Sequence, residues 1–154
     1  MVVLGLDPGT ATVGFAFVTG SKQDPKILQF GILQTLPLPN DLLGHRLNEI
    51  GSDLEYLLDT YKPELAGVEE IFFFKNHKTV ISVAHSRGMM IYLLAKRGIR
   101  VLNMTPLEIK QAVCSYGRAD KKQMQTMIMK LYSLDSLPKP DDAADSLAMA
   151  WCGL

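Results

Sequence analysis

The stretch VVLGLDPGTATVGFAFVTG, residues 2–20, decides how the rest of the chain can be arranged. VVLGLD is a short run of β-favouring residues ending on Asp7, PGTATVG supplies turn chemistry, and VGFAFVTG resumes the β pattern. Two strands joined by a tight Gly/Pro turn form an antiparallel pair. Working outward, KILQFGILQTL (26–36) reads as a third strand after the SKQDP turn, and PLPN breaks the chain. From Asn40 or Asp41 onward, Leu43, Leu47, Ile50, Leu54 and Leu57 recur at steps of four, three, four and three. That period predicts an amphipathic helix facing a core.

ELAGVEEIF (64–72) reads as a fourth strand, residues 79–98 as a long helix closed by Gly98, and IRVLNM (99–104) as a fifth strand. Val80, Val83, Ala84, Gly88, Ile91 and Leu94 lie at helical spacing in the long helix, as a core face would. Thr105 and Pro106 open another helix as cap and first-turn residue. SYGRAD leads into a helix over 121–132, and after SLDSLPKP an aspartate-rich segment forms the last one. Three strands followed by alternating helices and strands imply an α/β layer with a five-stranded mixed sheet, in a single domain over residues 1–154.

The 47% hydrophobic and 21% charged fractions fit an ordinary globular protein. No stretch approaches the roughly 20 apolar residues of a membrane helix. MVVLGLDPG has no basic leader and meets Asp7 early, so no signal peptide is expected. Cys114 and Cys152 are far apart and lack metal-ligand spacing. A reducing cytoplasm is the expected location. Net charge is zero, but unevenly spread. Residues 1–74 carry a net −6, residues 75–130 a net +9, and residues 131–154 a net −3. A cationic middle between carboxylate-rich ends is either a solvated basic face or a surface for a polyanion.

Asp7 closes the first strand, Glu69 and Glu70 the fourth, and Asp142 and Asp145 share one face of the last helix at i and i+3. A right-handed crossover makes the first and fourth strands neighbours. The last helix can then pack over them and gather the carboxylates. Bare anions so placed would hold one another partly protonated, whereas divalent cations stabilise them. An all-oxygen set suits Mg²⁺ or Mn²⁺, and two such ions about 4 Å apart serve in-line phosphoryl displacement. Taken singly, each residue has a plainer explanation. Asp before Pro-Gly favours a turn, Glu70 fits a solvated strand end, and Asp141 suits a helix start. Joint placement on three elements lifts the set above those readings.

LGLDPGTATVGFAFV (4–18), GVEEIFFFKN (67–76), AHSRG (84–88), EIKQAVCSYGRADKKQMQ (108–125) and PDDAADSLAMA (140–150) resemble, in order and spacing, the RuvC family of Holliday junction resolvases. The resemblance implies a ribonuclease H-like fold with helices on both faces of the sheet. It also implies a homodimer making paired nicks in four-way junction DNA, dependent on two Mg²⁺ per site, with Mn²⁺ as a substitute. Carried over, the catalytic and metal-binding carboxylates are Asp7, Glu69, Asp142 and Asp145, and Lys121 sits near the scissile phosphate. Glu70 and Asp141 fall outside the pattern. An aromatic after the fourth-strand carboxylate contacts bases in the family, and Phe72 matches it. Phe73 and Phe74 follow directly, so the stacking residue is open among the three. Lys110 matches a further basic position, and Lys75, Asn76, Arg87, Arg118 and Lys122 are candidate phosphate contacts. The family also uses the long helix in its dimer, which suits the small residues Ala84 and Gly88. A branch-migration motor complex is a further partner to consider. The competing readings are a YqgF-type ribonuclease H-like nuclease acting on RNA and a non-catalytic junction-binding module. The basic 108–123 segment and the Asp-Ala-Ala-Asp close favour the resolvase over both.

Overall fold

The computed structural model describes residues 1–36, 43–71 and 77–154. Its elements run β1 (Val2–Asp7), β2 (Thr12–Ser21), β3 (Asp24–Gln34), α1 (Leu43–Tyr61), β4 (Leu65–Glu69), α2 (His77–Lys96), β5 (Arg100–Met104), α3 (Pro106–Cys114), α4 (Lys121–Leu131) and α5 (Asp141–Gly153). The five strands form one sheet in the order β3-β2-β1-β4-β5. β1 pairs antiparallel with β2 and β2 with β3, while β4 and β5 extend the sheet in parallel on the other side of β1. This is the mixed α/β layer that the opening hairpin and later alternation predict.

Strand alternation sends successive side chains to opposite faces and so builds two cores. Leu4, Leu6, Phe15, Phe17, Ala66 and Val68 join Ile50, Leu54 and Leu58 of α1 and Met90, Leu93 and Leu94 of α2. Val3, Ala16, Val18 and Met104 join Ile109 and Val113 of α3, Ile128 of α4 and Leu147–Trp151 of α5. Helices therefore cover both faces. α3 begins with the anticipated cap: the Glu108 N–H donates to Thr105 Oγ1 at 3.2 Å, and the Thr105 N–H to Glu108 Oε2 at 2.8 Å. Asp120 and Gln123 repeat this capping box at α4, a D-x-x-Q signal present in the sequence but not read there.

Several boundaries differ from expectation. β3 begins at Asp24, so the turn narrows to Lys22 and Gln23 and Pro25 lies within the strand. β3 is an edge strand, where a missing N–H costs no ladder bond. In α1 the core residue is Leu58, with Leu57 only partly buried, because the true 3.6-residue period drifts past a strict 4-3-4-3 repeat. In α2, Ser86, Met90 and Leu93 face inward with Val80 and Leu94, while Ala84 and Gly88 are exposed. The expectation for β4 beyond Ile71, and for Phe72–Asn76, falls outside the described residues.

α5 lies unusually close to the sheet. A Cβ built on Gly5 would stand 1.9 Å from the Ser146 carbonyl oxygen and 2.5 Å from the Ala150 nitrogen. One on Gly67 would meet the Met149 carbonyl at 2.8 Å, and one on Gly14 the Asp142 carbonyl at 2.0 Å. Gly5 and Gly67 are register partners on β1 and β4, and Gly14 faces Asp7 across β1 and β2. Three bare backbone positions on three neighbouring strands thus form the bed of the helix. Its outer side is fixed by Tyr132 Oη donating to the Leu147 carbonyl at 3.0 Å and by Trp151 packing edge-on against Tyr132.

Candidate active site

The parallel register of β1 and β4 ends with Leu6 opposite Val68, so Asp7 and Glu69 leave the sheet side by side at its carboxyl edge. Both belong to the strand rows that face α5. In β1 the row is Val3, Gly5, Asp7, and in β4 it is Leu65, Gly67, Glu69. α5 carries Asp142 and Asp145 one turn apart, and the glycine bed brings its first turn down onto the strand ends. Asp7 and Asp142 share a hydrogen bond, and Asp7 feels the negative charge of Asp145, Glu69 and Asp142 together. All four carboxylates named from the sequence therefore converge. Asp141 does not join them. It stands at the exposed start of α5, which has no side-chain cap, and pairs with Lys121 while accepting from Gln125 Nε2 at 3.1 Å. Its role is that of a tether for the lysine rather than of a cap.

Crowding and loss of water push Asp7, Glu69 and Asp145 upward. Burial, followed by the charges of Asp145, Glu69 and Asp142, raises Asp7 from the ordinary 3.8 to about 8. Glu69 is raised by burial and then by Asp145, while Lys110 pulls it back. Asp145 keeps one side open to solvent, yet enclosure by its neighbours raises it, opposed by Lys121. Glu69 and Asp145 line a cleft of about 210 Å³ whose other wall carries Lys110 and Lys121. Lys121 is itself held charged by Asp141, with Asp145 and Asp142 adding to the effect. Anionic floor and cationic rim face each other across the opening.

An aspartate whose folded value is raised binds a proton that the unfolded chain releases above the ordinary value. Stability from that proton is present below about 3.8 and is lost as pH rises through about 8. In a chelating buffer without divalent ions, the melting temperature is expected to fall steadily from pH 5 to pH 8.5. Thermal unfolding across that window checks it, and a flat or rising profile would contradict the packing of these carboxylates.

The donor set is entirely carboxylate oxygen, which matches hard divalent cations such as Mg²⁺ or Mn²⁺. Among the described residues, no group of three or more His, Cys, Asp or Glu side chains is arranged so that it could hold a metal ion as it stands. The fit is thus one of donor chemistry and net charge.

The other sequence candidates distribute unevenly. Lys110 and Lys121 reach the cleft. Lys122 is exposed on α4 and lines a groove with Cys114, Tyr116 and Met127, next to the exposed Arg118. Arg87 points elsewhere. From α2, its Nε donates to the Glu69 carbonyl at 2.9 Å and its Nη2 to Asn103 Oδ1 at 2.7 Å. Phe72, Phe73, Phe74, Lys75 and Asn76 lie outside the described residues. Sequence reasoning missed Asp141 and Gln125 as the setting of Lys121. The i, i+4 spacing of Lys121 and Gln125 is a weak signal for it.

A five-stranded sheet in this order, helices on both faces and carboxylates on β1, β4 and the closing helix define the ribonuclease H-like class. The family model for the crossover junction endodeoxyribonuclease RuvC matches residues 3–153. A crossover junction endodeoxyribonuclease RuvC of Syntrophomonas wolfei is 48% identical over 100% of this chain and 88% of its own length. Thermus thermophilus RuvC, 28% identical, superposes with a TM-score of 0.88 over 98% of this chain and 92% of that one. The same protein in complex with a Holliday junction substrate gives 0.90 over 98% and 91%. The chain belongs to the RuvC family. Neither the YqgF-type reading nor the non-catalytic one is favoured by these matches.

Proposed function

We propose that this protein is a divalent-metal-dependent endonuclease that resolves four-way DNA junctions by paired symmetric nicks. The observation that carries the reading is the convergence of Asp7, Glu69, Asp142 and Asp145 beneath a cleft edged by Lys110 and Lys121. Family membership supports it, as does the Thermus relative's complex with a Holliday junction. Bound Mg²⁺, two ions by the count of carboxylates, would polarise the scissile phosphate and make water nucleophilic near neutral pH. Asp7 and Asp142 would hold one side of that site, and Glu69 and Asp145 the side open to the cleft. Lys121, tethered by Asp141, would stabilise charge developing on the phosphate oxygens. Lys110 would hold the strand across the cleft. Arg118, in the loop before α4, and Lys122, in its first turn, would extend the positive rim outward.

Two cuts in opposed strands need two sites in a fixed relation, and a homodimer through α2 supplies them. Ile81, Ala84, His85, Gly88 and Tyr92 form an exposed face, and a Cβ on Gly88 would meet nothing within 4 Å. Ile81 and Tyr92, each 63% exposed, lie on this same face and give it apolar surface for a partner to cover. The chain would act as a single nuclease domain in the cytoplasm. No helix among the described residues is long and apolar enough to cross a membrane.

A synthetic four-way junction, incubated with and without Mg²⁺, tests the proposal. Symmetric paired nicks that need the ion are expected, with Mn²⁺ able to replace it. Junction affinity should fall with rising salt as phosphate contacts release counterions. Cutting of RNA in preference to the junction would select the YqgF-type reading, and salt-dependent binding without cutting the non-catalytic one.

A further inference from the structure

The motif AHSRG (84–88) has no part in the cleft, yet two of its residues grip the strand ends that carry the carboxylates. We propose that Ser86 and Arg87 are positioning residues that set the spacing of Asp7 and Glu69 from the opposite face of the sheet. The inference rests on the reading that these two carboxylates share one metal site.

The sheet alone does not fix that spacing. Ladder partners between β1 and β4 stop at Leu6 and Val68, one residue short of both carboxylates, while Asp7 still pairs with Gly14 of β2 and Glu69 with Met104 of β5. Between the two strand ends themselves, α2 supplies the further bonds. Ser86 is fully buried, and its Oγ donates to the Gly9 carbonyl at 2.6 Å, two residues past Asp7. The next residue, Arg87, donates from Nε to the carbonyl of Glu69 itself, and from Nη2 to Asn103 on β5. One turn of a single helix thus bonds the ends of β1, β4 and β5. The helix is anchored one turn further on, where Met90, Leu93 and Leu94 enter the core against the sheet. Its fixed backbone makes it a ruler between the two strand ends.

Arginine suits this place because its planar fork presents two donors in a set geometry, whereas a lysine ammonium is a single point charge. Neither Ser86 nor Arg87 bonds to a carboxylate. Both act on the backbone from which the carboxylates project. α2 also begins at His77, directly after the Phe72–Asn76 segment that the family resemblance assigns to DNA contact. The same helix therefore joins that segment, the exposed face and the two carboxylate-bearing strand ends.

The test uses the full chain and Mn²⁺ alone, with binding read by calorimetry on DNA-free protein. Arg87→Lys keeps the charge and removes the fork. Its Mn²⁺ affinity is expected to fall about 10–100-fold, in the range seen when groups that orient metal ligands are removed. Cleavage should require correspondingly more Mn²⁺, while junction affinity measured in chelator, and its salt slope, stay as in the wild type. Ser86→Ala should shift Mn²⁺ affinity in the same direction. Asn103→Ala, an exposed change that removes the second anchor of the guanidinium, gives the same reading if Arg87→Lys fails to fold. Unchanged Mn²⁺ affinity with a lower melting temperature would overturn the proposal and leave only a structural bond. Unchanged Mn²⁺ affinity with a shallower salt slope in Arg87→Gln would overturn it in favour of a phosphate contact. Asp7→Asn separates the two layers of argument. If it too binds Mn²⁺ like the wild type, the metal-site reading fails; if it alone loses binding, only the present inference does.

Discussion

Asp7→Asn is expected to abolish junction cleavage while leaving junction binding intact and making the metal-free protein more stable. The three effects have one origin. Asp7 sits where three other carboxylates converge, and keeping it ionised there is so unfavourable that its value rises to about 8. Asparagine has the same shape, can still hydrogen-bond to Asp142, and carries no charge. At pH 8 in chelator, a shift of this kind is worth about 1.4 kcal/mol for each pKa unit relieved, so stabilisation of a few kcal/mol is expected. The same change would remove an anionic oxygen from the proposed metal-binding set and so weaken its hold on a divalent cation. Lys110, Lys121 and α4, the proposed DNA surface, are untouched by the change. Melting curves in chelator, gel-shift titration with a four-way junction and a cleavage time course check the three parts. Wild-type cutting by the variant would remove Asp7 from the catalytic set. A variant less stable than the wild type in chelator would show that the carboxylates are not crowded as described.

The second large effect is expected from one methyl group. Gly5→Ala places a Cβ where the Ser146 carbonyl oxygen stands 1.9 Å away and the Ala150 nitrogen 2.5 Å away. Neither neighbour is a flexible side chain, so α5 as a whole must lift. Overpacking of this kind costs about 1–3 kcal/mol, and rigid backbone on both sides puts Gly5 at the upper end. The effect on activity is larger than the effect on stability. A displacement of 1 Å at a reacting centre can cost about 100-fold in rate, and Asp142 and Asp145 ride on the displaced helix. Gly44→Ala is the matched control, since its Cβ would meet nothing within 4 Å on exposed α1. That variant should cut normally and be as stable as the wild type or slightly more so. Equal behaviour of the two alanine variants would mean that the contact between β1 and α5 is not as tight as described.

The parts of the fold legible in the sequence are those set by local chemistry. The VVLGLD–turn–VGFAFV hairpin, the Thr105-Pro106 helix start and the glycine stop at Gly98 each carry a short-range signal, and each stands where that signal puts it. The acidic ends of β1 and β4 and the acidic start of α5 were legible as breaks in apolar patterns, but only the family resemblance picked Glu69 over Glu70 and Asp142 over Asp141. What escaped was set at longer range. Leu58 replaces Leu57 because the drift of the 3.6-residue period accumulates over the whole length of α1. Ala84 and Gly88 fit the helical period yet face water, because α2 turns Ser86 inward to reach Gly9 instead. A serine in an apolar helix looks like a surface residue until a carbonyl 77 positions earlier in the chain is seen to need a donor. Asp141 and Lys121 are similarly 20 positions apart and carry no mutual signal.

The glycine bed joins the beginning of the chain to its end. Asp7 lies in the first strand, and its partners Asp142 and Asp145 lie in the last helix, so the acidic centre is assembled from opposite ends of the sequence. Synthesis from the N-terminus makes the segments that carry Asp7 and Glu69 well before the one that carries Asp142 and Asp145. Until α5 settles on Gly5, Gly14 and Gly67, Asp7 and Glu69 stand without Asp142 and Asp145, so the acidic cluster is complete only when the last helix has docked.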